Sequence, residues 1–396
     1  MKEIIVNTTE EKNIITVLED GCLLEKYEEY DEFERLEGNI YLGIITDILP
    51  GMQAAFVNIG DCKNAFLHIK DILPKVSNQT GNKEEDLNKY NITDYLKTGM
   101  PVIVEVKKDK TDKKGAKVST NFNIAGKFAV IIPNSEFVTI SQKIEDKNEI
   151  QRLSNIVNSF NIKNYGIIIR TSAVNANEFQ IKEDIENLIE NYQRVMKRAE
   201  SLISEKNLVP TLLFEKGNMV KRLLLDIGNQ DLNKIVVNSE QVYRNVCSLV
   251  EEGNFNIEVE LLKRENILDL YDLEKQINKI SNRKVWLKCG GFITIDRTEA
   301  LTAIDVNTGK FIGKENIEKT VLKVNSEATV EIAKQIRARD IGGIIIIDYI
   351  DMDNSEDEEI IQNLLIESLK KDRAKTQVVG FTKLHLLEMT RKHICS

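Results

Sequence analysis

Proline is scarce: five residues in 396, all at or before Pro210, beside 20 glycines. That excludes collagen-like and proline-rich architectures. It also leaves no proline-rich linker between residues 216–281 and 282–396, which are expected to pack closely. The five cysteines are Cys22, Cys62, Cys247, Cys289 and Cys395. They are odd in number, scattered and never spaced C-x-x-C, which excludes a disulfide framework and a complete cysteine zinc site. Long apolar runs are missing. Residues 1–20 carry no signal-peptide core, and the longest run, 344–347, cannot span a bilayer. A cytoplasmic protein with no membrane span is expected. Positive charge is short as well: the net charge is -9. Coating nucleic acid by bulk charge is excluded; a locally basic groove is not.

What is present can build several cores. Apolar residues make up 42% and charged residues 30%, over a length that allows about two to four domains. Residues 1–35 alternate around a polar turn, as in a hairpin or meander. Residues 36–118 read as short strands punctuated by glycine, with a polar insertion at 75–91, and predict a small barrel. Residues 119–215 mix strands at 128–132 and 166–170 with a helix. Its stripe is Ile185, Leu188, Ile189, Tyr192, Val195, Met196, Ala199, Leu202 and Ile203. Residues 216–281 alternate strand and helix, and 282–396 read as a βαβ unit with further elements. The class is α+β, multidomain.

The informative stretch begins at Gly290-Gly291-Phe292-Ile293-Thr294-Ile295-Asp296. After a polar turn it runs through Ala300-Leu301-Thr302-Ala303-Ile304-Asp305-Val306-Asn307. Residues two apart on a strand share a face, so Asp305 and Asn307 project together. A helix from about Asn316 to Asp340 follows, with Ile317, Val321, Val324, Ala328, Ile332 and Ile336 inward. Gly342-Gly343 is expected to close it in the left-handed conformation. The next strand, 344–347, is all β-branched and reads as buried on both faces. It ends in Asp348-Tyr349-Ile350-Asp351. A crossover of this kind makes the strands parallel, so both carboxylates emerge at one sheet edge.

Two carboxylates and an amide make a hard-oxygen site suited to Mg²⁺, the arrangement that phosphodiester hydrolysis needs. The same spacing also fits aspartates that only end strands or cap helices. The acidic run 351–359 illustrates this: Ser355 and Glu358 have capping-box spacing, so Asp353, Glu356, Asp357 and Glu359 read as helix-start residues.

The stretch 290–351, with Arg337-Ala338-Arg339-Asp340-Ile341-Gly342-Gly343 and Ile347-Asp348-Tyr349-Ile350-Asp351-Met352, resembles the ribonuclease E/G family. So does Leu386-Leu387-Glu388-Met389-Thr390-Arg391-Lys392, and the resemblance covers essentially the whole chain. It implies that Asp305 and Asp348 bind catalytic Mg²⁺, and that Asn307 positions the scissile phosphate or the aspartate ligand. It implies an RNase H-like subdomain from 1–35 and 216–281 and an inserted S1 (OB-type) RNA-binding barrel at 36–118. A 5′-sensor region at 119–215 and a DNase I-like catalytic subdomain at 282–396 complete it.

Pattern alone leaves Phe56 and Phe66 equally core residues or base-stacking rings. The resemblance assigns them to RNA, and a third aromatic of the family falls on Ile59. The run Lys107, Lys108, Lys110, Lys113, Lys114 and Lys117, interrupted by Asp109 and Asp112, reads as a solvated loop or as phosphate contacts; the resemblance selects Lys114. For a 5′-monophosphate it points to Gly126, Val130, Arg170, Thr171 and Lys375. Arg170-Thr171 offers a fork and a hydroxyl, where spacing alone reads Arg170 as a surface salt bridge. A family arginine is Gln142 here, beside Lys143. Another is Lys375, which keeps the charge and loses the fork. The family's zinc link has no counterpart before the chain stops at Cys395-Ser396. Zinc is therefore not expected, and a homo-oligomer is open without the tetramer being carried over.

The expectation is a Mg²⁺-dependent, single-strand-specific endoribonuclease for rRNA processing and mRNA decay. It would act on rRNA precursors and mRNA, favour 5′-monophosphorylated A/U-rich RNA and leave 5′-phosphate and 3′-hydroxyl ends. His68, His385 and His393 would have no chemical part, and His385, in place of a family glycine, would be structural. Two alternatives are a non-catalytic RNA-binding module, free to lose the Asp305/Asn307/Asp348 set, and a DNA nuclease of the same chemistry.

Overall fold

The computed structural model describes all residues except 31–35, 73–89, 112–113, 161, 163, 206–207, 229–231, 310–316, 353 and 395–396, and the side chains of 317–319. Most of the insertion at 75–91, Asp112, Lys113, the expected helix start at Asn316, the Ile317 side chain, Asp353 and Cys395 lie outside the described residues. The chain forms two compact units, 1–33 with 231–396, and 34–230. Residues 216–230 group with the second. No described helix is long and apolar enough to cross a membrane.

The first unit carries two sheets. In one, Lys2–Thr8, Lys12–Glu19 and Cys22–Tyr30 form an antiparallel meander. Leu232–Val237 and then Glu258–Leu261 add parallel beyond Lys2–Thr8. Asp20 and Gly21 turn between the last two meander strands with φ of 51° and 75°, the geometry that matches a tight hairpin to strand twist. Helix Glu240–Glu252, capped by the Ser239 hydroxyl, links the two parallel strands.

The other sheet orders its six strands Lys284–Trp286, Phe292–Arg297, Leu301–Asn307, Gly343–Asp348, Leu386–Arg391, Thr376–Phe381. Leu301–Asn307 and Gly343–Asp348 are its parallel pair, joined through helix Ile317–Ala338. Alternation decides the faces. Ile293, Ile304, Val306, Ile345 and Ile347 join the core with residues of that helix and of Ser355–Leu369.

Three sequence expectations are corrected here. The strand 344–347 is buried on one face only: Ile345 and Ile347 are fully buried, while Ile344 is 50% exposed. Branching at Cβ suits the pleat and says nothing of two-sided burial. The left-handed residue after the long helix is Asp340 (φ 45°), not Gly342, and Gly343 (φ 89°) already opens the next strand. The aspartate tolerates this conformation because the buried Arg391 guanidinium donates to Asp340 Oδ1 at 2.7 Å and to the Ile341 carbonyl at 2.9 Å. The third correction concerns helix 355–369. Its N-cap is Asn354, whose side chain accepts from the Glu356 N–H, and Ser355 is the first helical residue. Glu358 turns instead to His385.

A second buried charge cluster ties the meander to the six-stranded sheet's unit. Glu25, 1% exposed at its side chain, pairs with Arg337 at 2.6 Å and Arg373 at 3.0 Å. It also accepts from the Tyr27 hydroxyl at 2.8 Å.

In the second unit five strands close a barrel: Ile40–Leu49, Ala54–Asn58, Ala65–His68, Lys117–Ser119 and Pro101–Lys108, with the last pairing back to the first. Gly43 is needed there, since a Cβ would lie 2.6 Å from Val57 Cγ1. Beside it, Val138–Ile140, Tyr165–Ile169, Ala129–Pro133 and Ile124–Ala125 form a four-stranded sheet. Helix Glu178–Ile203 packs on it. Ile185, Leu188, Val195 and Ala199 are buried as the stripe predicts, and Ile203 at the helix end is 45% exposed.

Burial works against the charge on Glu25, but Arg373 and Arg337 outweigh it and hold the carboxyl below its ordinary value. A depressed carboxyl stabilises the fold above its unfolded pKa, and that contribution is lost as pH falls through the folded value. Glu25→Gln is therefore expected to cost about 3–5 kcal/mol at pH 7 by denaturant titration. The gap to wild type should shrink below pH 4.5.

Candidate functional site

The acidic centre follows from strand register. Asp305 and Asp348 are direct partners across the parallel pair, so their Cα positions lie about 4.8 Å apart on one face. Thr294 is Asp305's partner on the other side. This face is the open one: Asp305 is half-buried, and Asn307 and Asp348 are exposed. Asp305 Oδ2 sits 3.5 Å from Thr294 Oγ1 and 3.4 Å from Asn307 Nδ2, both donors. Partial burial, then the Asp305 and Asp351 carboxylates, push the Asp348 carboxyl up from its ordinary value.

Like charges held side by side favour a cation between them. Among the described residues no three His, Cys, Asp or Glu side chains converge as a finished metal cage. Two carboxylates and an amide oxygen are an all-oxygen set that fits Mg²⁺, an ion that retains waters and takes few protein ligands. The four described cysteines are free.

Of two further residues near the centre, the sequence did not single out Thr294 and read His385 only as structural. Thr294 carries no signal beyond its alternation with Ile293 and Ile295. His385 precedes Leu386, the register partner of Asp348. It adopts φ 60°, a conformation glycine takes more easily. Its Nδ1 lies 2.7 Å from Glu358 Oε1, a bond that raises the imidazole pKa, with Asp351 adding to it.

On the barrel, Phe56 and Phe66 are cross-strand partners with ring centroids 6.2 Å apart. Their neighbours Ala55, Val57, Ala65 and Leu67 fill the core, so the two half-buried rings face outward. Ile59 is buried (3%) and adds nothing to that surface. The third ring is His68, 6.5 Å from Phe66. Lys114 is exposed after the last loop turn. The lysine run is less open than its charge implies: Lys107 binds Glu105, Lys110 binds Asp61 at 2.6 Å, and Lys117 binds Asp71 at 3.0 Å.

Gly126, Val130, Arg170 and Thr171 gather at one end of the four-stranded sheet. Arg170 Nη1 donates to the Gly126 carbonyl at 2.5 Å and to the Leu225 carbonyl at 3.3 Å, and Nη2 binds Asp226. Asp226 lies 56 residues away in sequence, so no local pattern announces it. Beneath them the Asp184 carboxylate accepts from the N–H groups of Lys127 (3.0 Å), Phe128 (2.8 Å) and Ala129 (3.0 Å). A Cβ on Gly126 would meet Asp184 Oδ1 at 2.5 Å. Lys375, exposed ahead of Thr376–Phe381, belongs to the first unit.

The model of the family described as "Ribonuclease E/G family" matches residues 123–394. The chain is 36% identical over 393 residues to Ribonuclease G of Escherichia coli (strain K12), covering 98% of this chain and 79% of that protein. It is 35% identical over 395 residues to Ribonuclease G of Haemophilus influenzae, with coverages of 98% and 79%. It is 32% identical over 403 residues to Ribonuclease E of Buchnera aphidicola subsp. Schizaphis graminum, covering all of this chain and 41% of that protein.

Asp184→Ala would strip three backbone donors of their acceptor. It is expected to destabilise the chain by about 2–4 kcal/mol, read as a lowered unfolding midpoint. Thr294→Val, which keeps shape, should cost less than about 1 kcal/mol in the same measurement.

Proposed function

Because this chain belongs to the ribonuclease E/G family, and is by that membership an endoribonuclease of RNA processing, we propose that it hydrolyses single-stranded RNA with Mg²⁺ at Asp305, Asn307 and Asp348. The observation that carries this is the register: two carboxylates directly paired on parallel strands, on an open face, with an amide two residues on. Asp305 and Asp348 would hold the ion. Thr294 and Asn307 orient Asp305 by donating to it, and the Asn307 amide would meet a phosphate oxygen. A bound Mg²⁺ supplies charge neutralisation at the scissile phosphate and activation of the attacking water. In-line attack leaves a 5′-phosphate and a 3′-hydroxyl.

The outward pair Phe56 and Phe66, with Lys114, supports an S1-type grip on single strands. Gly126, Val130, Arg170 and Thr171 would read a 5′-monophosphate. The strand order of three antiparallel strands continued by two parallel ones supports an RNase H-like reading of the first sheet. A DNase I-like part would carry the acidic centre. Action on rRNA precursors and mRNA in the cytoplasm completes the proposal.

The test is a 5′-monophosphorylated, A/U-rich single-stranded RNA incubated with Mg²⁺ or EDTA, beside the same sequence as DNA. Cleavage should need Mg²⁺, spare the DNA and leave the stated ends. Asp305→Asn and Asp348→Asn should each cut the rate by roughly 10³-fold or more while RNA binding survives. Full activity in either variant refutes the site.

A further inference from the structure

The open face of the six-stranded sheet runs on past the acidic pair to its edge strand, Lys284–Trp286. Trp286 is the register partner of Phe292, and Phe292 of Asn307. The next row reads Lys284, Thr294, Asp305, Asp348. Register partners share a face, so two aromatic rings, a lysine and the acidic centre look out from one surface. Strand spacing and rise place Trp286 about 12 Å from Asp305 at Cα.

The rings form a set piece. Their centroids are 5.3 Å apart at 62°. Lys284 Nζ lies 4.1 Å from the Trp286 centroid and 3.4 Å from that of Phe292, which fixes both rings through cation–π attraction. Trp286, the chain's one tryptophan, is nonetheless 60% exposed. The loop behind it is braced: Glu327 on the long helix accepts from the Lys288 and Cys289 N–H groups, and Leu287 and Gly291 bond across it at 2.9 Å. Beyond Asn307 the chain turns at Gly309, where a Cβ would be 3.5 Å from the Phe292 ring, so the platform abuts the end of the acidic strand. Lys284 and Lys288 are both exposed.

We infer that Trp286 and Phe292 form a stacking platform for a nucleobase of the RNA strand flanking the scissile phosphate, with Lys284 and Lys288 adding positive charge for the adjoining phosphates. This rests on the acidic pair being the cleavage centre. An exposed indole stiffened by a neighbouring cation offers a π-face to any base. A single strand lying over Asp305 and Asp348 can leave along this face, where Lys284 and Lys288 are exposed.

The sole tryptophan is its own reporter. Short single-stranded RNA added to the full chain in EDTA should quench its fluorescence, with a midpoint matching that of labelled-RNA anisotropy. With Mg²⁺, Trp286→Ala should raise KM roughly 5- to 100-fold with kcat little changed, and Trp286→Phe should restore most of the loss. An abasic substitution at one flanking position should cost the wild type a similar factor and add nothing in Trp286→Ala. Cleavage by wild type with an unchanged KM in Trp286→Ala, or RNA binding with no change in fluorescence, overturns the platform and leaves the acidic site standing. Quenching without any cleavage by wild type overturns the placement beside a cleavage centre.

Discussion

Two carboxylates on neighbouring strands repel, and a fold that pairs them in register has to brace that arrangement from elsewhere. Here the bracing is the parallel pairing itself. Its hydrogen bonds fix Asp305 beside Asp348 whether or not a cation is between them, and the helix crossing from one strand to the other puts the apolar core on the far face. The sheet therefore has a dry side that stabilises and a wet side that carries charge. The exposed face of the first unit's six-stranded sheet, from Trp286 at one edge to His385 beyond Asp348, follows from that division.

The remaining charges inside this unit serve position. Arg391 is fully buried between Asp340 and Asp372 and allows the long helix to end on a left-handed aspartate. Glu25 between Arg337 and Arg373 does the same for the meander. Neither cluster is where hydrophobic patterning alone would place a contact, and both reach the C-terminal end of the long helix, through Arg337 and Asp340. Removing one partner leaves a buried charge unmatched, which is far costlier than removing the pair.

Much of this was legible in the sequence. The strand–helix–strand spacing was enough to put Asp305 and Asp348 at one edge, because a crossover has few geometries. Period-3.6 and period-2 patterns located the long helices and the barrel strands. What escaped was set by long-range partners. Arg170 finds Asp226, Asp340 finds Arg391, and Trp286 finds a row of neighbours from two other strands; none of these leaves a local signature. The double burial expected for 344–347 failed because β-branched residues report strand formation and not which faces are covered. The partners of the lysine run were equally invisible, since Glu105, Asp61 and Asp71, which pair with three of its six lysines, are spread over 45 residues.

The discontinuity of the first unit bears on synthesis. Residues 34–230 form a unit continuous in sequence, so every contact it needs is available once residue 230 has left the ribosome. The meander of residues 1–33 is made first yet must wait. Its parallel partner begins at Leu232, and Glu25 meets Arg337 and Arg373 only 312 and 348 residues later. During that interval Ile4, Ile5 and Val6, all buried at the end, sit on a strand that is still the edge of the sheet. Premature pairing with another nascent chain is the hazard of such an edge. The acidic turn Glu10-Glu11, at the end of that edge strand, is a feature that opposes it.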